Sequence, residues 1–253
     1  MNKIIVTTSW DDGFKNDIKL LALLDKYNLK GTFYVQSKRT EKYLSDNEIK
    51  EISVNHEVGA HSVNHKELDK LGLDEADEEI KGSKIYFDNL LEKETKMFCY
   101  PRNKFNDQIK QITKSVGFLG ARSTRRLCFC LPTDFFDFGV TLNIYPFPFR
   151  KKNSNRILIH KTVLDPMKKY FRDIIKLKLP FNSFLSWENL AKNSFDYATK
   201  NGQIFHLYGH SWEIEKYSMW RELENVFKYI ANRPNILYLT NGEVLEYTEK
   251  SKN

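Results

Sequence analysis

Cysteine is scarce in this chain, and the three present do not suggest pairing. Cys99, Cys128 and Cys130 form neither the even framework of a disulfide-stapled domain nor the C-x-x-C repeat of a zinc ribbon, so they read as reduced thiols. Long apolar runs are missing too. After Met1-Asn2-Lys3, only Ile4-Ile5-Val6 is strongly apolar before Thr7-Thr8-Ser9. That is too little for the apolar region of a signal peptide, and nothing later has the length of a membrane span. With Met1 as the natural start, the expectation is a cytoplasmic protein without a transmembrane segment, acting on a precursor before export. No internal repeat or low-complexity tract stands out.

What is present is enough apolar residue, 41% of 253, to bury a full core, and the expectation is one domain over residues 1–253. The formal charge of +7 suits an anionic partner such as an acidic or phospholipid-linked glycan. Most of the lysines, however, are scattered among acidic residues and read as solvated surface. Nucleic acid is the least favoured partner, because no basic, aromatic-interleaved stripe exists beyond the stretch from Phe147 to Lys152.

The chain alternates between two periodicities. Ile4-Ile5-Val6-Thr7-Thr8 reads as a buried strand running into Asp11-Asp12-Gly13, and Ile18, Leu20, Leu21, Leu23, Leu24 and Tyr27 recur at helical spacing until Asn28 to Gly31. Thr32-Phe33-Tyr34-Val35 is a second strand. Ser45 and Glu48 have the spacing of a capping box, and Glu57-Val58-Gly59-Ala60 makes a third strand just before His61. Helices over about 74–91 and 106–116 and a strand over 96–100 continue the pattern, which argues for a parallel sheet or barrel. Across about 123–186 the alternation is lost among Pro146, Pro148, Pro166 and Pro180, and an irregular excursion is expected there. Regular structure resumes with helices at 187–200 and 215–231 and strands at 203–208 and 236–239.

The chemistry-bearing pattern is His61-Ser62-Val63-Asn64-His65. Residues four apart share one face of a helical turn and can direct two imidazoles at one ion. Alone this is weak, since solvated helices carry such pairs by chance. Asp11-Asp12 at a strand end adds a hard carboxylate, which completes the three-ligand open site of a catalytic metal. Consecutive strand residues point in different directions, so one aspartate can bind metal while the other faces substrate.

Ser9-Trp10-Asp11-Asp12-Gly13 resembles the T/S-F-D-D-G motif of the NodB-homology polysaccharide deacetylases, carbohydrate esterase family 4, and His61 to His65 matches their H-S/T-x-x-H. The resemblance implies a distorted (β/α) barrel of about seven strands. It also implies removal of an N- or O-linked acetyl group from a sugar, with Asp11 as general base and Asp12, His61 and His65 as metal ligands. Two imidazoles and a carboxylate suit zinc, and cobalt, nickel or manganese would also be held.

Phe98-Cys99-Tyr100-Pro101-Arg102-Asn103 resembles the family's R-x-P-Y segment but departs from it twice. Cys99 stands where an arginine usually steadies the catalytic aspartate, and Arg102 stands where a tyrosine lends its backbone N–H to the oxyanion. Arg102 keeps that N–H, and its guanidinium or that of Arg122 is the candidate for the steadying role. Tyr208-Gly209-His210-Ser211-Trp212-Glu213 fits the Y-x-H-P-W-E form of the last motif, which makes His210 the acid and His206 a core or supporting histidine. The aspartate-rich fourth motif has only Asp134 and Asp137 as weak candidates. Trp10, Tyr100 and Trp212 flank the motifs and are candidates for stacking on a sugar ring, with core packing as the alternative. Two rivals stand beside the deacetylase reading. One is a metal-dependent hydrolase of a non-sugar amide, and the other is a catalytically silent glycan-binding module.

Overall fold

The computed structural model describes residues 3–149 and 165–251. Its centre is β1 (Ile4–Asp12), whose residues from Ile5 to Asp11 are all buried. Such a strand shows no alternation of apolar and polar residues because both of its faces are covered. Around it run β2 (Gly31–Val35), β3 (Glu57–Ala60), β4 (Met97–Cys99), β5 (Gly120–Arg122), β6 (Leu142–Asn143), β7 (Ile204–Gly209) and β8 (Ile236–Tyr238). All named pairings are parallel, and the order is β5-β4-β3-β2-β1-β7-β6, with β8 also on β1. β8 pairs with Ile4 to Val6 while β2 pairs with Thr8 to Asp12, so the long central strand serves two partners in turn.

The sheet curls into a distorted barrel. Between β5 and β7 the chain that includes β6 serves both sides: Phe138 N–H donates to Ala121 O and Val140 N–H to Arg125 O, while Thr141 N–H donates to His206 O and Ile144 N–H to Tyr208 O. This closure lies inside the stretch expected to be irregular. Its strand is only two residues long, too short to leave a periodic signature.

Helices fill the crossovers: α1 (Asp17–Lys26), α2 (Asp46–Asn55), α3 (Leu73–Leu91), α4 (Asp107–Ser115), α5 (Asp165–Lys176), α6 (Trp187–Asn201), α7 (Ser211–Lys216), α8 (Trp220–Ile230) and α9 (Asn241–Lys250). The capping box expected at Ser45 and Glu48 is formed in full at the start of α2. The single helix expected over 215–231 is two, α7 and α8. Ser218 adopts a left-handed conformation (φ 56°), and Met219 N–H turns back to Ile214 O. No glycine marks this break, so nothing in the residue pattern announces it.

Alternation along β1 sorts the site. Thr7, Ser9 and Asp11 face the barrel interior, where Thr7 Oγ1 accepts from Asn241 Nδ2 and Ser9 Oγ meets His206 Nε2. Trp10 faces the other way, against Phe227 of α8. His160 and the basic residues Arg150 to Lys152 lie outside the described residues.

Candidate active site

The C-terminal ends of β1, β3, β4, β5 and β7 converge, which is where parallel α/β sheets present their loops for chemistry. Asp12, at the end of β1, takes a positive φ of 78° before Gly13, also positive at 71°. Gly13 needs its bare Cα, because a Cβ there would meet Val35 Cγ1 at 2.6 Å. This turn sends the Asp12 carboxylate outward while Asp11 stays inside. Asp12 Oδ1 lies 3.2 Å from His65 Nε2 and 3.7 Å from His61 Nε2, and one ligand atom from each of the three lies within 4.8 Å of the others.

The expected helical turn behind the two histidines is not there. His61 follows β3 directly, and Ser62 (φ 61°) and His65 (φ 56°) are both left-handed. The imidazoles are brought together by a tight loop, in which His65 N–H donates to Ser62 Oγ and Glu79 of α3 accepts from the N–H groups of Val63 and Asn64. Glu79, nearly fully buried, also accepts a hydrogen bond from Asn64 Nδ2. Nothing in the sequence separates Glu79 from the acidic residues beside it.

Tautomer and charge suit a cation. His61 Nδ1 is 2.7 Å from Cys99 O, which can only accept, so Nδ1 carries the proton and Nε2 offers a lone pair toward Asp12 and His65. Burial pushes the His61 pKa down to about 4, against the pull of Asp11 and Asp12, so the ring is neutral. For Asp12, burial favours the neutral acid. The His65 hydrogen bond, joined by the charge of His210, outweighs it and holds the carboxyl well below the usual range. Trp212 Nε1 donates to Asp12 Oδ2 at 2.9 Å.

Asp11 is buried, and Arg122 of β5 donates from Nη2 to both its oxygens. Arg122 is itself fully buried, lies over the Tyr208 ring at 4.4 Å, and contacts Cys99 Sγ at 2.8 Å. Cys99 pairs with Arg122 in the sheet register, so a guanidinium from the adjacent strand occupies the ground beside Cys99. Of the two candidate arginines, Arg122 reaches Asp11 and Arg102 does not. The Arg102 side chain stands in solvent and makes a 3.4 Å contact to Glu67, because a left-handed backbone at Arg102 and Asn103 turns it away from the barrel axis.

His210 follows β7 and precedes α7. Its Nδ1 is 2.8 Å from Glu213 Oε2, so the carboxylate three residues on does the orienting. Burial disfavours the imidazolium, but the Glu213 hydrogen bond and the charges of Asp11 and Asp12 prevail, and the pKa is raised above 6.5. Asp134 bonds Lys110 and Asp137 bonds Ser123, so neither takes part. His206 is a core residue: Nδ1 meets Gly139 O at 3.0 Å, and burial pushes its pKa down to about 3.

The three aromatic candidates do not behave alike. Trp10 is wholly buried with its Nε1 on Thr8 Oγ1, and Tyr100 is buried and stacked on Phe105 at 4.1 Å, so neither is open to a sugar. Both alternate outward, next to inward-facing Asp11 and Cys99. Trp212 is half-buried and its indole N–H serves Asp12. A cavity of about 290 Å³ adjoins His210, lined by Thr124, Arg126, Asn143, Tyr145, Tyr208 and Glu213.

The polysaccharide deacetylase family model matches residues 1–121. That stretch of the chain belongs to the polysaccharide deacetylase family. It carries Asp11, Asp12, His61, His65 and Cys99, and it ends one residue short of Arg122. YxkH of Bacillus subtilis, whose name assigns it to polysaccharide deacetylases, is 25% identical over 117 residues, 45% of this chain and 42% of its own length. The match therefore spans less than half of that relative. Over the whole chain the likeness is one of fold. A Mycobacterium smegmatis protein also named for polysaccharide deacetylases superposes with a TM-score of 0.66 at 11% identity, covering 100% of this chain and 92% of that one. A family 4 acetyl xylan esterase from Clostridium thermocellum, solved with a cobalt ion, gives 0.58 at 15% identity over 97% and 92%.

Proposed function

We propose that this polysaccharide deacetylase-family chain is a metal-dependent hydrolase that removes an acetyl group from a carbohydrate, with residues 3–251 acting as one catalytic unit. The observation that carries the reading is the convergence of Asp12 Oδ1, His61 Nε2 and His65 Nε2 beside a separately clamped carboxylate, Asp11. Donor chemistry supports zinc foremost: two imidazoles and one carboxylate, with a carbonyl behind His61 fixing its lone pair. An ion held by these three would supply Lewis acidity, making water a better nucleophile and drawing charge from the acetyl oxygen.

The chain's own groups do the rest. Asp11, clamped by the Arg122 guanidinium, accepts the proton of the attacking water. The Arg102 N–H, without a hydrogen-bond partner among the described residues, is the candidate donor to the developing oxyanion. His210 has Nδ1 committed to Glu213, so Nε2 is the atom that gives a proton to the departing amine or alkoxide, and its raised pKa keeps that proton available near neutral pH.

The test combines metal analysis with acetate release from a panel of acetylated glycans and small amides. Asp11→Asn is expected to keep the metal and lose turnover, whereas His61→Ala and His65→Ala lose the metal itself. Equal metal content in all three variants would sink the assignment of roles. Turnover of small amides but not of glycans would move the substrate to a non-sugar amide.

A further inference from the structure

Large apolar side chains rarely stand in water together without a reason. Here Phe171 (47% exposed), Ile175 (58%), Phe181 (78%) and Leu185 (61%) make up half of those that do so among the described residues. All four come from α5 and the turn that follows it. Phe184 joins them into one surface, its ring centroid 5.5 Å from that of Phe171 and 5.9 Å from that of Phe181. α5 has a proper inner face as well, with Tyr170 and Ile174 fully buried, so the outer apolar residues are surplus to its own packing.

Charge on this face has one sign. Arg172 and Lys176 are exposed one turn apart, and Lys178 is exposed just beyond. The one carboxylate among the described side chains of α5, Asp173, turns inward to Arg126 at 2.6 Å. A short helix showing aromatic and aliphatic residues interleaved with arginine and lysine is the pattern of a segment lying in the headgroup region of a bilayer. At 12 residues, or about 18 Å, α5 is too short to cross one.

Its position adds a second argument. Tyr170 Oη donates to Asn143 O at 3.0 Å, and Asp173 holds Arg126. Asn143 and Arg126 both line the cavity beside His210, so α5 buttresses that cavity with its inner face while displaying the patch on its outer one.

We propose that the outer face of α5 and the turn after it dock on an anionic lipid bilayer and hold the site at headgroup depth, facing a membrane-anchored glycan. The choice of glycan rests on the deacetylase reading above; the docking surface does not.

The test is co-sedimentation with vesicles of equimolar phosphatidylglycerol and phosphatidylcholine, and with phosphatidylcholine alone. The full chain is compared with a Phe171→Ser, Ile175→Ser double variant and an Arg172→Glu, Lys176→Glu double variant. All four side chains are exposed, so circular dichroism and melting temperature should be unchanged. The expected result is binding to the anionic vesicles that falls at least about tenfold in the apolar double variant. It should also weaken with charge reversal, with added salt and on phosphatidylcholine alone. The proposal is overturned by absence of wild-type binding, by equal binding of the variants, or by sedimentation velocity showing a dimer that the apolar double variant dissociates. Acetate release from a soluble acetylated glycan is measured in parallel. Vesicle binding without any turnover leaves the docking surface standing and fails the catalytic reading, and turnover without binding does the reverse.

Discussion

On the side of the site built by residues 3–121, each ligand candidate is oriented by a group far away in sequence. Cys99 O fixes His61, Glu79 fixes the loop that carries His65, and Trp212 reaches Asp12. On the other side, His210 is oriented by Glu213, three residues on in the same turn. The first arrangement needs the whole barrel to be folded, and the second needs one turn of chain. Motifs can be moved or rewritten where the support is local. Where the support is distant, what must persist is the geometry, and the side chain that supplies it can come from another strand. Arg122, which lies outside the family match and clamps Asp11 from the strand beside Cys99, is the case in point.

The largest effect should come from breaking that clamp. Arg122→Ala leaves the Asp11 carboxylate buried without its cation, which costs about 3–5 kcal/mol when one partner of a buried pair is removed. Denaturant melts should show the loss and acetate release should all but disappear. Returning the guanidinium from the neighbouring strand, with Cys99→Arg in the Arg122→Ala background, should recover part of both. Recovery of stability without recovery of turnover would mean that the arginine serves the fold alone.

Glu79→Gln comes next. It keeps the shape but removes the charge from the acceptor of the Val63 and Asn64 N–H groups. A loosened ligand loop should lower metal affinity by about 10- to 100-fold, as supporting groups at metal sites do. Titration with a competing chelator measures it.

These two variants also mark what sequence could and could not show. Asp11, Asp12, His61 and His65 stood out because their types and spacing are unusual together. The fold was legible because a parallel barrel repeats its periodicity from strand to helix. The loop geometry of His61 to His65 was not, since two left-handed residues without glycine leave no trace in the pattern. Glu79 was hidden for another reason, since its hold on Val63 and Asn64 depends on how α3 packs beside that loop. For Asp11 the sequence left Arg102 and Arg122 as alternatives, and the choice between them depends on the register of β4 and β5, which no local window contains. For Trp10 and Tyr100, read as either sugar platforms or core packing, the core alternative holds, and strand alternation beside Asp11 and Cys99 is what turns them outward. The closure near β6 was unreadable because two residues carry no period.

Glu213→Gln probes the local side of the comparison through pH. The His210 pKa is raised, so its stabilising contacts are fully present below the unfolded value of 6.5 and are lost as pH rises through the raised value. An acid that must be protonated gives a rate that falls along the same limb. Without the Glu213 charge the His210 pKa drops, so the alkaline limb of kcat should move to lower pH while metal content stays unchanged. An unmoved limb would assign that titration to another group.

The smallest effect belongs to Trp212→Phe, which tests whether the two sides are coupled at all. Trp212 sits on α7 two residues after His210, with ring centroids 5.6 Å apart, and its Nε1 donates to Asp12 Oδ2. Phenylalanine preserves most of the half-buried packing and deletes that single hydrogen bond to a carboxylate. A loss of about 1 kcal/mol, roughly fivefold in metal affinity, is expected from the bond. If the indole only supports Asp12, the His210 limb of the pH profile stays where it is. If the helix turn carrying His210 is positioned by its grip on Asp12, that limb and the metal affinity shift together, and the acid side is then anchored across the barrel as well as by Glu213.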